Sequence, residues 1–402
     1  MVTDGRLTTK SADGSELDLS GAAAFNYSEF FDDMLESERL QVSREEMTWL
    51  QTYRPPEGPV DVVLNLSCGV QTTPHLMLTQ VAIFQALGVD FVATAGRQYC
   101  CGRIYQRFGK PELGDRMASK AIDRFASWAP STNVQCCGSC LIEFDFHVSK
   151  QREAKGSAPF DVVHITRYLL DRLVELGDAA PWKTTVPRRV LLHAEGAEVH
   201  PTKVEARDAV IGTMARIPGV EYLGLIANPS LGQPCATRTP GGPSVLNDLT
   251  PAQYRQVQDE LEAQARAVGA DAIVTHHHMC HREWAKFGSD RLPVIHYQQL
   301  LAEALGVAVP DRFQMLWRLG DPDRIMEQAR PYWSSWGIEE PEARRLVNKF
   351  FVPEYAEAVQ RCPCEGNCVE AVIGTGGAAA TDASTLNLEP RFELPMHPGG
   401  TA

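Results

Sequence analysis

The sequence predicts an α/β protein of two pseudo-repeated lobes, each a small, mostly parallel sheet flanked by helices, with a helical C-terminal appendage. Apolar runs such as VDVVLNL and DFVATA alternate with helix-like segments such as TPHLMLTQVAIFQAL, the pattern of parallel strands with crossover helices. The same order returns from RRVLLH onward. Matching residues of the two halves lie 134, 132 and 140 positions apart: Cys101 with Cys235, His164 with His296, and Cys140 with Cys280. Such a repeat indicates two similar lobes.

The elements divide the chain into five parts. Residues 1–58 are a mostly polar arm with one helix expected around Ser43 to Leu50. The first lobe, 59–180, has strands at VVLNL, DFVATA, TNVQ and DVVHI, and a helix from about Pro111 to Ala126. The second lobe, 187–310, repeats them with RRVLLH, EYLGLIA, DAIVTH and PVIH. Residues 311–370 are a helical appendage that includes a cysteine cluster, and 371–402 are a Gly/Ala/Pro-rich stretch expected to be a flexible tail.

Composition limits the class of protein. The 402 residues are 44% hydrophobic and 22% charged, as in globular proteins large enough for two or three domains. An apolar run of about 18 residues, which a membrane helix needs, is absent, so we expect no membrane span. The polar N-terminus lacks the order of a signal peptide, which predicts a cytoplasmic protein. The net charge of −13 argues against nucleic acid as a partner.

The cysteines of the first lobe each follow a predicted strand. Cys68 comes after VVLNL, Cys100 and Cys101 after DFVATAG, and a third group after TNVQ, namely Cys136, Cys137 and Cys140. Since the carboxyl ends of parallel strands share one edge of the sheet, we expect these thiols to converge. So many thiolates suit an iron–sulfur cluster or zinc. Cys136 is the spare, either a core residue or an alternative ligand.

The arrangement of Cys68, Cys100-Cys101-Gly102 and Cys137-x-x-Cys140 resembles the CCG domain found in the B-type subunit of heterodisulfide reductase and its relatives. The likeness covers roughly residues 60–305, in two copies. It implies that five residues form the catalytic site as ligands of a noncubane [4Fe-4S] cluster: Cys68, Cys100, Cys101, Cys137 and Cys140. In some members of the family the corresponding site holds zinc.

The second lobe departs from this pattern. It has Pro234-Cys235 in place of the doubled cysteine and His277-His-Met-Cys280 in place of Cys-x-x-Cys, and the first family cysteine aligns with Gly196. The remaining donors are His193, Cys235, His277 and Cys280. Two imidazoles and two thiolates predict a tetrahedral zinc site. The alternative is a degenerate lobe retained only for packing.

Other candidate residues carry weaker predictions. His164 and His296 recur at matching strand ends, where hydrogen bonding at the sheet edge is favoured over a ligand role. A C-terminal group is either part of a further cluster or a thiol relay, although the lack of a fourth nearby cysteine favours an incomplete or exposed site; it consists of Cys362, Cys364 and Cys368.

Three functions are compatible with these patterns. The resemblance implies an oxidoreductase subunit that reduces a disulfide or related sulfur substrate, such as a small thiol/disulfide. Because the sequence has neither a ferredoxin-type cysteine run nor a dinucleotide fingerprint, a ferredoxin-type or flavin subunit would supply the electrons. The second function is an electron-transfer or docking subunit of a larger dehydrogenase with no substrate of its own. The third is a structural protein in which both sites hold zinc.

Overall fold

The computed structural model describes most of both lobes and the region that follows them. The described residues are 2–3, 6–10, 16–18, 27–47, 58–107, 109–193, 201–227, 230, 251–286 and 291–352. Cys235, Gly196 and the C-terminal cysteines Cys362, Cys364 and Cys368 lie outside these ranges.

The first lobe contains a four-stranded parallel sheet in the order β5-β4-β6-β7. Its strands are β4 (Val62–Asn65), β5 (Phe91–Thr94), β6 (Thr132–Gln135) and β7 (Asp161–His164). Helices cover both faces of such sheets, so their central strands are continuous apolar runs. Every residue of β4 and β5 is buried, as this rule requires.

The second lobe repeats that topology in the order β11-β10-β8-β9, also fully parallel. Its strands are β8 (Arg188–His193), β9 (Val220–Leu225), β10 (Ala272–Thr275) and β11 (Val294–His296). In both lobes the first strand lies between the second and the third, and the fourth strand is at one edge. The predicted fold class of two similar α/β lobes is therefore confirmed.

Helices flank both sheets and form the C-terminal appendage. Those of the first lobe are α2 (Pro74–Ala86), α3 (Arg103–Arg107), α4 (Pro111–Ala126), α5 (Gly138–Lys155) and α6 (Ile165–Leu176). Those of the second lobe are α7 (Pro201–Met214), α8 (Pro251–Ala267), α9 (His278–Trp284) and α10 (Tyr297–Leu305). The appendage consists of α11 (Arg312–Leu319), α12 (Pro322–Ser335) and α13 (Glu340–Phe351). No helix in the described ranges combines the length and the apolar character that crossing a membrane requires.

The N-terminal region differs from the sequence prediction. A small antiparallel sheet is formed by β1 (Val2–Thr3), β2 (Arg6–Lys10) and β3 (Glu16–Asp18). The helix of this region, α1, spans Tyr27–Arg39. The helix expected from Ser43 is wrong for residues 43–47, which form turns, and residues 48–50 lie outside the described ranges. There the Ser43 hydroxyl accepts the Glu46 amide, and the Glu46 carboxylate accepts the Ser43 amide, which stabilises a turn.

Candidate metal centre

Three cysteine segments meet at one edge of the first sheet because they follow its three adjacent strands, β5, β4 and β6. Cys68 lies in the turn after β4, Cys100 and Cys101 follow the turn after β5, and Cys137 precedes α5. Cys140 lies in the first turn of that helix. The strand ends thus bring together residues separated by more than seventy positions in the sequence.

The five thiols form a continuous chain in which each side chain interacts with the next. Cys68 interacts with Cys100, and Cys100 with Cys101. Cys101 interacts in turn with Cys140, and Cys140 with Cys137. Cys100, Cys101 and Cys140 are each at most 5% exposed, whereas Cys68 and Cys137 are partly accessible. The accessible thiols are therefore the two ends of the chain.

Backbone amides also point at these sulfurs. The Gly102 amide donates to Cys100 Sγ at 3.4 Å, and the Arg103 amide lowers the pKa of Cys101. Hydrogen bonds from amides stabilise thiolates. Where the thiolates ligate an iron–sulfur cluster, these bonds also tune its reduction potential. The donor set therefore fits an iron–sulfur cluster in both ligand number and electrostatics.

The backbone around the thiols explains the residues that accompany them. Gly102 has a φ of 85°, and a Cβ atom there would lie 2.1 Å from the Gly114 carbonyl oxygen. Only glycine fits this close approach of α3 to α4. Ser67, next to Cys68, has a φ of 54°, a left-handed conformation that is uncommon outside glycine and clusters at functional sites.

Neighbouring thiols and burial shift the pKa of Cys100, Cys140 and Cys137. The thiol of Cys101 lowers the pKa of Cys100, but the thiol of Cys68 and burial outweigh this and raise the pKa to about 12. The thiols of Cys101 and Cys137, together with burial, raise the pKa of Cys140. The thiol of Cys140, with a contribution from His277, lowers the pKa of Cys137 well below its usual value although burial opposes this. Ionising several of these buried thiols together needs nearby positive charge, which bound metal ions supply.

A buried ion pair supports the segment behind the thiols. Arg103 Nη1 donates to Glu143 Oε1 at 2.6 Å, and the Glu143 side chain is fully buried. Burial raises the pKa of Glu143 to about 7 despite the nearby guanidinium. The pair joins the start of α3, which follows Cys101, to α5, which contains Cys140.

Helix α1 covers one side of the centre. Phe30, Phe31 and Met34 pack in one apolar cluster with Cys100 and Tyr105. Cys68 packs against the same cluster, and the Tyr27 ring stacks on the Tyr105 ring at 4.8 Å. The segment assigned to an N-terminal arm thus forms part of the wall of the site.

The second lobe also contacts the centre. His277 Nε2 lies 3.9 Å from Cys137 Sγ, and Cys137, His277 and His278 form a group whose potential ligand atoms all lie within 4.8 Å of one another. Cys137 and His277 hold matching positions, since each is the N-cap of the helix that follows the third strand of its lobe. Their ψ values are both 131°. Equivalent residues of the two lobes therefore meet at the lobe interface.

The ligands predicted for zinc in the second lobe are placed as follows. His193 ends β8 and stacks on Trp284 at 4.1 Å between ring centroids, and Cys280 is fully buried in an apolar cluster with Trp284. Neither is in a group of three potential ligands among the described residues, and Cys235 lies outside those residues. The four-ligand zinc site stays a prediction.

The remaining candidate residues have structural contacts. His164 Nδ1 lies 2.8 Å from Thr166 Oγ1 and His296 Nε2 lies 3.0 Å from the His276 carbonyl oxygen, so hydrogen bonding at the sheet edges is confirmed. Cys136 lies in the main hydrophobic cluster at 6% exposure, and burial raises its pKa well above the usual value. This placement favours the interpretation of Cys136 as a core residue.

Sequence reasoning missed two parts of the site. It placed His277 only in a second-lobe zinc set and gave α1 no role, although both line the first-lobe centre. A signal for His277 was present in the sequence, because Cys137 and His277 are 140 positions apart, the same offset as Cys140 and Cys280. The contact of α1 had no comparable signal.

Comparison with known proteins agrees with this geometry. A family model described as a cysteine-rich domain, CCG, matches residues 64–145. That segment contains all five linked thiols and the Gly102 that their packing requires. The chain contains a CCG cysteine-rich domain.

Proteins with similar sequences extend the likeness beyond the CCG domain. The chain is 22% identical over 285 residues to the D-type subunit of the dihydromethanophenazine:CoB–CoM heterodisulfide reductase of Methanosarcina barkeri, which covers 67% of this chain and 65% of that protein. It is 24% identical over 192 residues to the protein of the same name from Methanosarcina mazei, which covers 46% of this chain and 44% of that protein. These relatives are D-type subunits, whereas the motif alone suggested the B-type subunit. The matches cover less than two thirds of the relatives' own lengths.

Proposed function

We propose that the chain is the iron–sulfur subunit of a heterodisulfide reductase-like complex and reduces a disulfide or related sulfur substrate. A noncubane [4Fe-4S] cluster held by the five linked cysteines would be the redox centre: Cys68, Cys100, Cys101, Cys137 and Cys140. The observation that carries the proposal is the unbroken chain of five thiols at three adjacent strand ends. Packing alone does not account for it. Cys101 and Cys140 also pack in an apolar cluster, but each interacts with two other thiols of the chain.

The reaction requires two electrons and two protons: R–S–S–R′ + 2e⁻ + 2H⁺ gives RSH and R′SH. The bound cluster would pass the electrons singly, and a ferredoxin-type or flavin subunit would supply them. Cys68 and Cys137 are the more accessible thiols, and His277 and His278 face the centre from the second lobe. We therefore place the substrate on this side, between the lobes.

The test begins with protein purified without oxygen. Iron, zinc and acid-labile sulfide are measured and electron paramagnetic resonance spectra are recorded. We expect close to four iron and four sulfide per chain, as a [4Fe-4S] cluster requires. A full complement of zinc without iron would overturn the proposal and favour the structural, zinc-only protein.

The burial of three thiols favours a second candidate function, an electron-transfer or docking subunit with no substrate of its own. Cys100, Cys101 and Cys140 are almost inaccessible, as suits a relay that only passes electrons. Turnover of small disulfides with an artificial electron donor separates the two functions. Disulfide reduction that depends on the cluster supports the reductase, whereas a reducible cluster with no turnover supports the relay.

A further inference from the structure

A second group of potential ligands contains no cysteine and lies at the junction of three parts of the molecule. His75 is in the first turn of α2 in the first lobe, His281 is in α9 of the second lobe, and Asp311 is the N-cap of α11 in the appendage. All three side chains are at most 2% exposed.

The three side chains converge on one point. His281 Nε2 lies 2.7 Å from Asp311 Oδ2, and His75 Nδ1 lies 3.4 Å from Asp311 Oδ1. One potential ligand atom from each residue lies within 4.8 Å of the others. A zinc-sized ion about 2.0–2.2 Å from its ligands separates them by about 3–3.5 Å. Small side-chain movements would therefore place the three atoms around one ion.

The hydrogen bonds of this group do not satisfy His75. Neither ring nitrogen of His75 makes a hydrogen bond in the described part of the chain, because its 3.4 Å approach to Asp311 Oδ1 is not aligned as one. Buried polar atoms without a hydrogen bond are destabilising. His281 is differently placed, because its Nδ1 lies 3.0 Å from the Thr275 hydroxyl. A metal-bound histidine usually makes a hydrogen bond through its other ring nitrogen, and this bond fixes the orientation of the ring.

The carboxylate also lacks a fixed positive charge. In the described ranges, the side chain of Asp311 contacts the two imidazoles and accepts the Gln314 amide at 3.0 Å. The neighbouring Arg312 makes its ion pair with Glu46 instead. A cation bound between the imidazoles and the carboxylate would supply the missing charge and use a lone pair of His75.

We propose that His75, His281 and Asp311 bind one divalent transition-metal ion that joins the two lobes and the C-terminal helices. Two imidazoles and one carboxylate suit Zn²⁺ or Fe²⁺, whereas Mg²⁺ and Ca²⁺ prefer all-oxygen sites. Because the ligands are buried, the ion is structural. The site shares no ligand with the thiol centre or with the predicted zinc set of the second lobe.

The test uses a matched pair of helix caps. Asp311 accepts the Gln314 amide at the start of α11, and Asp321 accepts the Arg324 amide in the same way at the start of α12. Asp311→Asn and Asp321→Asn both retain a side chain that can cap a helix, but only the first removes a proposed ligand. Each full-length protein is purified without oxygen, supplied with Zn²⁺, Fe²⁺ or Mn²⁺, and dialysed before total metal and acid-labile sulfide are measured.

We expect Asp311→Asn to hold about one metal ion fewer per chain than the wild type, with unchanged sulfide, and Asp321→Asn to hold the full amount. Equal metal content in the two variants would overturn the proposal, as would a wild-type protein that holds no such ion. His75→Gln is the second variant if Asp311→Asn fails to fold. After chelation, added Zn²⁺ should raise the melting temperature of the wild type but not that of either ligand variant.

Discussion

At the scale of single residues, Cys101 and Cys136 differ in their side-chain neighbours. Cys101 packs in an apolar cluster of the first lobe and interacts with the thiols of Cys100 and Cys140, whereas Cys136 lies in the main hydrophobic cluster. Both are buried, so exposure alone does not distinguish them. Their side-chain neighbours do, because a ligand needs other donors around the same ion.

Cys101→Ser should therefore remove most of the iron of the anaerobically purified protein, and Cys136→Ser should retain it. The serine at position 136 should still lower stability by about 1–3 kcal/mol, since a hydroxyl replaces a thiol among apolar side chains. Iron and acid-labile sulfide are measured on both variants. Equal losses of iron would show that the ligand assignment around Cys136 is wrong.

The carboxyl group of Glu38 should make the free energy of unfolding depend on pH. It is buried in α1 and accepts a hydrogen bond from Gln71 at 2.9 Å. Burial raises its pKa from 4.5 to about 7, against the lowering effects of Gln71 and Arg39. The folded protein thus holds this proton more tightly than the unfolded chain does. The resulting stabilisation is complete below about pH 4.5 and is lost as the pH rises through 7.

Glu38→Gln should remove the loss of stability that the wild type shows as the pH rises. Relative to the wild type, the variant should gain about 2–4 kcal/mol of unfolding free energy on going from pH 5 to pH 8. Denaturant unfolding at several pH values measures the difference. Glu29→Gln, at an exposed position of the same helix, is the control and should follow the wild type. A parallel pH profile for Glu38→Gln and the wild type would refute the assignment.

At the scale of elements, the α3–α4 contact holds the doubled cysteine in place. Gly102 follows Cys101 and lies against the backbone of Gly114. A side chain at either position would push the helices apart. Gly138 provides a comparison, because it lies directly after Cys137 yet has no atom within 4 Å of its Cβ position.

Gly102→Ala should destabilise the protein by about 2–4 kcal/mol through the left-handed backbone and the clash with Gly114. It should also lower the cluster content, because Cys100 and Cys101 are displaced. Gly138→Ala should keep both properties within error, since alanine is well tolerated in a helix. Melting temperature and acid-labile sulfide are the measurements. A Gly102→Ala protein as stable as the wild type would contradict the role given to this contact.

At the scale of the whole molecule, the lobes and the appendage are joined by specific polar contacts. Gln80 Nε2 donates to Gln298 Oε1 at 3.0 Å between α2 and α10. Arg312 donates to both carboxylate oxygens of Glu46 and to the Gln41 carbonyl oxygen. The first contact joins the two lobes, and the second joins the appendage to the N-terminal region, so loss of structure in one part should alter the part that it contacts.

The predicted second-lobe zinc site is tested at this scale. If Cys280 is a ligand, Cys280→Ser should lose one zinc ion per chain and melt at a lower temperature, while the first-lobe iron is largely retained. Because Cys280 is fully buried, the substitution also weakens packing. Cys136→Ser controls for that loss. Unchanged zinc in Cys280→Ser would mean that the degenerate-lobe alternative is correct.

The sequence by itself determined the two parallel lobes and the convergence of the first-lobe cysteines. Strand and crossover patterns are local, and parallel strand ends necessarily share an edge, so the meeting of Cys68, Cys101 and Cys140 follows from strand order. Helix α5 was missed because its apolar half, CLIEFDF, passes into the charged SKQREAK and leaves no continuous apolar stripe.

Only the tertiary structure decided what surrounds those thiols. The placement of His277 against Cys137, the cover formed by α1 and the group of His75, His281 and Asp311 all depend on how separate units pack. His75 lies more than two hundred positions before both His281 and Asp311 in the sequence, yet the structure brings the three side chains together. No local propensity or spacing encodes such contacts, because side-chain complementarity across whole lobes sets them.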